Sequence, residues 1–201
     1  MIEFTIHNPR KVIFRKGSLN TVGEEASKLG KKALIVCGRH FARRYGFLDR
    51  LVELLKTEGL EVYVFDKVEP NPSLETVESG GKLARSSNID VIVAFGGGSA
   101  IDAAKGISLL NIKGGGIRDY LYPYIVEEDT TPLIAIPTTC GTGSEVTKYA
   151  VLTDLQQRRK CVLVGPGIVP GISILDPEVL SSLPPNLTAY TSFDALSHAI
   201  E

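Results

Sequence analysis

Each kind of residue or feature that is scarce in this chain closes off a class of protein. Cysteine is scarce: Cys37, Cys140 and Cys161 are the only three in 201 residues, far apart and without a Cys-x-x-Cys spacing. An odd, sparse set excludes a disulfide framework and fits a reducing compartment. Charge of one sign is lacking too, with 22 Lys and Arg against 23 Asp and Glu, a net charge of −1. No broad positive field is available to hold nucleic acid or an anionic membrane, so neither is expected as a partner. No apolar run reaches the ~20 residues needed to cross a bilayer. The opening MIEFTIHNPR has no apolar core of secretory-signal length. The expectation is a soluble, cytoplasmic protein without repeats or low-complexity tracts. The Gly-x-Gly-x-x-Gly dinucleotide fingerprint is also missing.

What is present is a rhythm. Lys11 to Phe14 reads as a short strand, and Ser18 is placed to cap a helix carrying Leu19, Val22, Ala26 and Leu29 on one face, ended by Gly30. Lys31 to Cys37 is a continuous apolar strand of the kind buried on both faces of a parallel sheet. A helix follows from Phe41, interrupted at Gly46 and resuming through Leu48, Leu51 and Leu55. Leu60 to Val68 is the next strand, and Ser73 caps a helix from Leu74 to Arg85. Asp90 to Phe95 is a strand, Ala100 to Leu110 a helix, and Pro132 to Pro137 another buried strand. Strand and helix in alternation predict a doubly wound α/β sheet. After Thr138 the pattern changes to short strands, at Val146 to Thr153, Lys160 to Val164 and Ile172 to Leu175. A last helix is expected from Thr188, still apolar-faced at Glu201.

Two turns carry chemistry. Gly96-Gly97-Gly98-Ser99 follows a buried strand and opens a helix, so free N–H groups and a positive dipole end face the turn. That suits a pyrophosphate, although a tight corner needs glycine equally. Thr138-Thr139-Cys140-Gly141-Thr142-Gly143-Ser144-Glu145 follows the next strand, where open α/β sheets bind ligands. Asp194 and His198 are four apart on a helix and share one face. A carboxylate with an imidazole suits iron or zinc, and such a pair is also common as a surface contact. His7 and His40 have no acidic or histidine neighbour at ligand spacing and read as ordinary polar positions.

In order and spacing, GGGSAIDAAKG (Gly96 to Gly106), PTTCGTGSEVT (Pro137 to Thr147), ILDPEVLSSLPP (Ile174 to Pro185) and TSFDALSHAIE (Thr191 to Glu201) resemble the iron-containing (group III) alcohol dehydrogenases. The resemblance implies a Rossmann-like, dehydroquinate synthase-like nucleotide-binding domain over residues 1–185. Residues 186–201 would then be the first helix of an all-helical metal-binding domain whose remainder is absent. It implies that Gly97, Gly98 and Ser99 hold the pyrophosphate. Thr138, Thr139 and Thr142 would lie along the nicotinamide, with Lys160, placed before a strand, at the cofactor ribose and Asn71 near the adenosine half. NAD-using relatives carry an Asp after the second strand, where this chain has Gly38 followed by Arg39. Loss of a carboxylate and gain of a guanidinium is what a 2′-phosphate requires, so NADP(H) is favoured over NAD(H). The family holds its metal, Fe²⁺ with Zn²⁺ as the alternative, on an Asp and a His from one helix plus two later histidines. Asp194 and His198 match the first two.

The activity so implied is hydride transfer between a primary alcohol or diol, or the aldehyde, and a nicotinamide. This chain would supply the cofactor site and half the metal site, with no catalytic group beyond the metal ligands. Glycerol dehydrogenases and dehydroquinate synthases share the architecture and form the alternative chemistry. A non-catalytic cofactor-binding fragment is the alternative of another class. An apolar terminal helix left uncovered would favour association with another chain, a homo-oligomer included.

Overall fold

A computed structural model describes residues 11–201. The opening segment MIEFTIHNPR, with His7, lies outside the described residues. In chain order the elements are β1 (Lys11–Phe14), α1 (Val22–Ser27), β2 (Lys32–Gly38), α2 (Phe41–Arg44), α3 (Phe47–Thr57), β3 (Glu61–Val68), α4 (Leu74–Ser86), β4 (Val91–Gly96) and α5 (Gly98–Lys113). They continue as β5 (Leu133–Pro137), β6 (Tyr149–Asp154), β7 (Arg159–Val164), β8 (Ile172–Leu175), α6 (Pro177–Leu180) and α7 (Pro185–Ile200).

Six strands pair in the order β1-β8-β5-β4-β2-β3, and every pairing is parallel. Strand periodicity divides the core in two. Ala33, Ile35 and Cys37 of β2, with Val91, Val93 and Phe95 of β4, face Leu19, Val22, Ala26, Leu48, Leu51 and Leu55 on one side. Leu34 and Val36, with Ile92 and Ala94, face Val77, Ala84, Ile101, Ala104 and Ile107 on the other. Each fully buried Leu or Ile contributes about 1.5–3 kcal/mol by transfer from water, and both faces of the central strands are covered. The doubly wound α/β fold expected from the alternation is the fold observed. All three cysteines are free thiols. Burial pushes the Cys37 thiol up to about 12, so it stays protonated and inert. Among the described residues no helix is long and apolar enough to cross a membrane.

Several local expectations are corrected. Ser18 caps nothing: Ser18–Thr21 is a 3-10 turn entered through left-handed Gly17, and the α-helix starts only at Val22. The N-terminal amides there are satisfied instead by the buried carboxylate of Asp176. It accepts from Gly17 N and Leu19 N, both at 3.0 Å, and caps α6 through Glu178 N at 3.0 Å. The segment from Val146 becomes a strand only at Tyr149, because Ser144–Val146 closes a 3-10 turn. β6 and β7 form a separate antiparallel hairpin, while β8 returns to the main sheet beside β5 and β1. α5 runs longer than its apolar stretch suggested. α7 begins at Pro185, because proline fits the first helical position, where its missing N–H costs nothing.

Candidate functional site

The chain leaves β2 toward β3 on one side and returns through β4 and β5 on the other. The carboxyl ends of β2 and β4 therefore flank a topological switch point, where open α/β sheets form a crevice. A cavity of about 510 Å³ opens there. Its walls include Gly38, Arg39 and Glu69 on one side and Gly97, Ser99, Thr138 and Thr139 on the other, over Phe41 and Phe95. Phe41 and Phe95 pack with Phe47 behind them, ring centroids 5.3–6.4 Å apart. α5 starts at this wall, so the unpaired amides of its first turn face the crevice.

Of Gly96, Gly97 and Gly98, only Gly96 needs a backbone conformation that L side chains rarely adopt, with φ +154°. Gly97 has φ −74°, so positive φ is not why glycine stands there. Close packing is: a Cβ at Gly97 would lie 3.0 Å from Thr139 Oγ1, and one at Gly98 would lie 3.0 Å from Thr142 Oγ1. The two polar turns thus interlock, two glycines against two threonines, and Thr138 N donates to Gly96 O at 3.0 Å.

Three more candidates converge from distant parts of the chain. Asn71 N donates to Ser99 Oγ at 3.2 Å, and Lys160 Nζ donates to Asn71 Oδ1 at 2.5 Å. Thr153, which sequence reasoning did not single out, accepts from Lys160 Nζ at 3.1 Å and donates to Asn71 O at 3.1 Å. Asn71 adopts φ +57°, which asparagine tolerates better than most residues. Lys160 lies within β7, as the strand expected from Lys160 to Val164 has it. The resemblance assigned Asn71 and Lys160 to different parts of a cofactor, whereas here they are one cluster beside Ser99.

Arg39 is not an unoccupied guanidinium. Its Nε donates to Lys67 O at 3.3 Å and its terminal nitrogen lies 3.9 Å from Glu69 Oε2, while its side chain remains 57% exposed. Burial alone would raise the Glu69 carboxyl. Hydrogen bonds from Ser73 and Thr76 outweigh that and hold it below its ordinary value, so Glu69 is an anion beside Arg39.

Asp194 and His198, both on α7, meet the second polar turn at Gly141. His198 Nδ1 lies 2.8 Å from Gly141 O. A carbonyl only accepts, so Nδ1 is the donor in this contact, which turns Nε2 away from the carbonyl as the ring atom that would meet a metal. Gly141 has φ +109°, and a Cβ there would overlap the Asp194 carboxylate. Only glycine lets these two side chains close on the turn. Among the described residues no three His, Cys, Asp or Glu side chains gather as a metal cluster, so the donors fit a divalent metal in kind and fall short in number.

The sequence profile of iron-containing alcohol dehydrogenases matches residues 9–177. The chain belongs to that family. It is 41% identical over 205 residues to the NADPH-dependent butanol dehydrogenase of Clostridium saccharobutylicum, covering 100% of this chain and 51% of that protein. The NAD-dependent methanol dehydrogenase of Bacillus methanolicus is 36% identical over 193 residues, covering 96% of this chain and 51% of its own. A crystal structure of 1,3-propanediol oxidoreductase superposes with a TM-score of 0.92 at 37% identity, covering 100% of this chain and 52% of that one. The chain spans about half the length of the curated relatives it matches.

This member of the family carries one charged cluster that the motif reading passed over. Lys105 and Asp102, three apart on α5, point inward beneath the second polar turn. Lys105 is fully buried, and its Nζ donates to Thr147 O at 2.9 Å, Tyr149 O at 2.6 Å and Ser144 Oγ at 3.3 Å. Asp102 accepts from Ser144 Oγ and from Val151 N at 2.9 Å. Burial lowers the Lys105 ammonium to about 8 and raises the Asp102 carboxyl, with each charge partly offsetting the other's cost. Both residues stand in the GGGSAIDAAKG string, so the available signal was two charges at i and i+3 inside an otherwise apolar helix.

Proposed function

We propose that this chain binds a nicotinamide dinucleotide in the crevice between β2 and β4, as the cofactor-holding half of an NAD(P)-linked, metal-dependent alcohol dehydrogenase. The observation that carries the reading is the interlock of Gly97 with Thr139 and Gly98 with Thr142 at the amino end of α5. It brings a helix dipole, free amides, Thr138 and Thr139 to one wall of a cavity sized for part of a dinucleotide, with Thr142 packed behind against Gly98. Gly97, Gly98 and Ser99 take the pyrophosphate, and Thr138, Thr139 and Thr142 orient the nicotinamide. Asn71 and Lys160 act together on the sugar next to Ser99, since a 2.5 Å bond joins them. Residues 1–185 form the cofactor domain, and residues 186–201 open the metal-binding part.

Arg39 at the lip of the crevice favours NADP(H). Its guanidinium is largely exposed and held only loosely by Glu69 at 3.9 Å, so it can turn to a 2′-phosphate as a bidentate, charge-assisted partner. Asp194 and His198 are the side chains that would hold a divalent metal, Fe²⁺ in keeping with the family, and that metal would supply Lewis-acid polarisation of the substrate oxygen. A catalytic site of this kind needs at least three protein ligands. With two, the 201-residue chain alone binds cofactor without turning over primary alcohols, diols or their aldehydes.

Calorimetric titration with NADP(H) and NAD(H) tests the reading. Tighter NADP(H) is expected, and Arg39→Ala should weaken it by roughly 1–3 kcal/mol while leaving NAD(H) nearly unchanged. Tighter NAD(H) would overturn the preference, and binding of neither would overturn the cofactor reading.

A further inference from the structure

Burying a lysine under a loop is costly unless every donor finds an acceptor. Lys105 finds them in one short segment. It binds the carbonyls of Thr147 and Tyr149 and the hydroxyl of Ser144, while Asp102 takes the same hydroxyl and Val151 N. The pair therefore grips residues 144–151 at four places spread from the end of the polar turn to the middle of β6. The other end of that turn is fixed by Gly97 against Thr139 and Gly98 against Thr142. Both grips belong to a single helix: its first residues touch the turn from the front, and its second turn holds the turn from below. An ammonium ringed by carbonyl and hydroxyl oxygens does the work of a bound monovalent cation, permanently attached to α5.

We propose that Lys105, with Asp102, is a positioning residue that sets the height of the Thr138–Glu145 turn over the crevice, and so governs the nicotinamide half of the cofactor site independently of the adenosine half. This rests on the cofactor reading given above. The adenosine side is built from the β2 and β3 ends, Gly38, Arg39 and Glu69, which the Lys105 cluster does not touch. The threonine turn is connected to α5 directly. Loss of the ammonium should free the turn while leaving the opposite wall as it is. The other charged groups acting on Lys105 are Asp102 on its own helix and Glu145 from the turn, and both favour the ammonium form.

The test compares two probes on the 201-residue chain, ADP for the adenosine and pyrophosphate portion and NADP⁺ (with NAD⁺ in parallel) for the whole cofactor. Lys105→Met keeps the length of the side chain and removes the charge. It should weaken whole-cofactor binding roughly tenfold or more, the scale of a lost hydrogen bond to a charged group, and change ADP affinity less than about twofold. Ser144→Ala, which unlinks the turn from Asp102 and leaves both Lys105 carbonyl bonds in place, should show the same selectivity at smaller size and serves if the Met variant does not fold. Equal weakening of both probes would show that Lys105 merely holds the fold. Unchanged binding of both would show that the turn keeps its place without it, and either result overturns the proposal. Wild-type chain that binds ADP but neither nicotinamide cofactor would overturn the functional reading along with it.

Discussion

Asp176 is the residue on which the described N-terminal segment hangs, and replacing it separates two accounts of how that segment is held. One carboxylate oxygen accepts from Gly17 N and Glu178 N and the other from Leu19 N, all at 3.0 Å, in a side chain only 2% exposed. In Asp176→Asn one oxygen keeps its bonds, while the new amide group faces the Leu19 N–H, donor against donor. A hydrogen bond to a charged acceptor contributes about 1.5–3 kcal/mol, and an unsatisfied buried donor costs a similar amount, so the loss should be about 3 kcal/mol. For a chain of this size that is a fall in Tm of roughly 6–12 °C. Ser18→Ala is the counterpart. Its hydroxyl makes one bond, 3.3 Å to Leu175 O, and its loss should cost no more than about 1 kcal/mol. Urea unfolding of the wild type and both variants, followed by circular dichroism, gives the comparison. If Ser18→Ala were the more damaging of the two, the helix would be capped locally as its sequence suggests and the long-range account would be wrong.

Arg118 clamps Asp154, with a second bond of 2.9 Å, and holds its carboxyl at about 2. The unfolded carboxyl titrates near its ordinary value, so this stabilisation is complete above about pH 4 and is lost as pH falls through about 2. Asp154→Asn should flatten the acid limb of a stability–pH profile, and an unchanged limb would refute the pairing. Gly97→Val should abolish cofactor binding by pushing Thr139 aside, measured by titration on a variant whose circular dichroism is intact; wild-type affinity there would contradict the interlock. Protein dialysed after loading with Fe²⁺ or Zn²⁺ should retain well under one metal per chain by elemental analysis and show no alcohol oxidation with NADP⁺. Stoichiometric metal with turnover would mean that a second chain completes the ligand set.

Period and composition made the sheet legible because β2, β4 and β5 are buried on both faces and cannot tolerate polar residues. Both polar turns were legible for a related reason, since strands of that kind deliver their carboxyl ends to a shared edge. Contacts between distant segments were hidden. Nothing near Gly17 announces that Asp176 will satisfy its amide, and nothing near Asn71 points to Lys160 or Thr153. The packing reason for Gly97 was hidden for the same cause, since the neighbour it must admit, Thr139, is some 40 positions downstream. Lys105 escaped attention because a lysine in a helix ordinarily reaches water, and burial is not visible in one-dimensional spacing.

The edge pairing of β1 with β8 carries a consequence for how the chain comes into being. Lys11 aligns with Ile172 and Phe14 with Leu175, so the first described strand has its hydrogen-bonding partner only about 160 residues later. During synthesis at 5–20 residues per second, β1 and the turn that Asp176 secures wait roughly 10–30 s for that partner. Meanwhile β2 through β5, already in hand, can assemble around the future crevice. Birth order and spatial order are thus reversed at this edge: the first of the described strands to leave the ribosome is among the last to be seated.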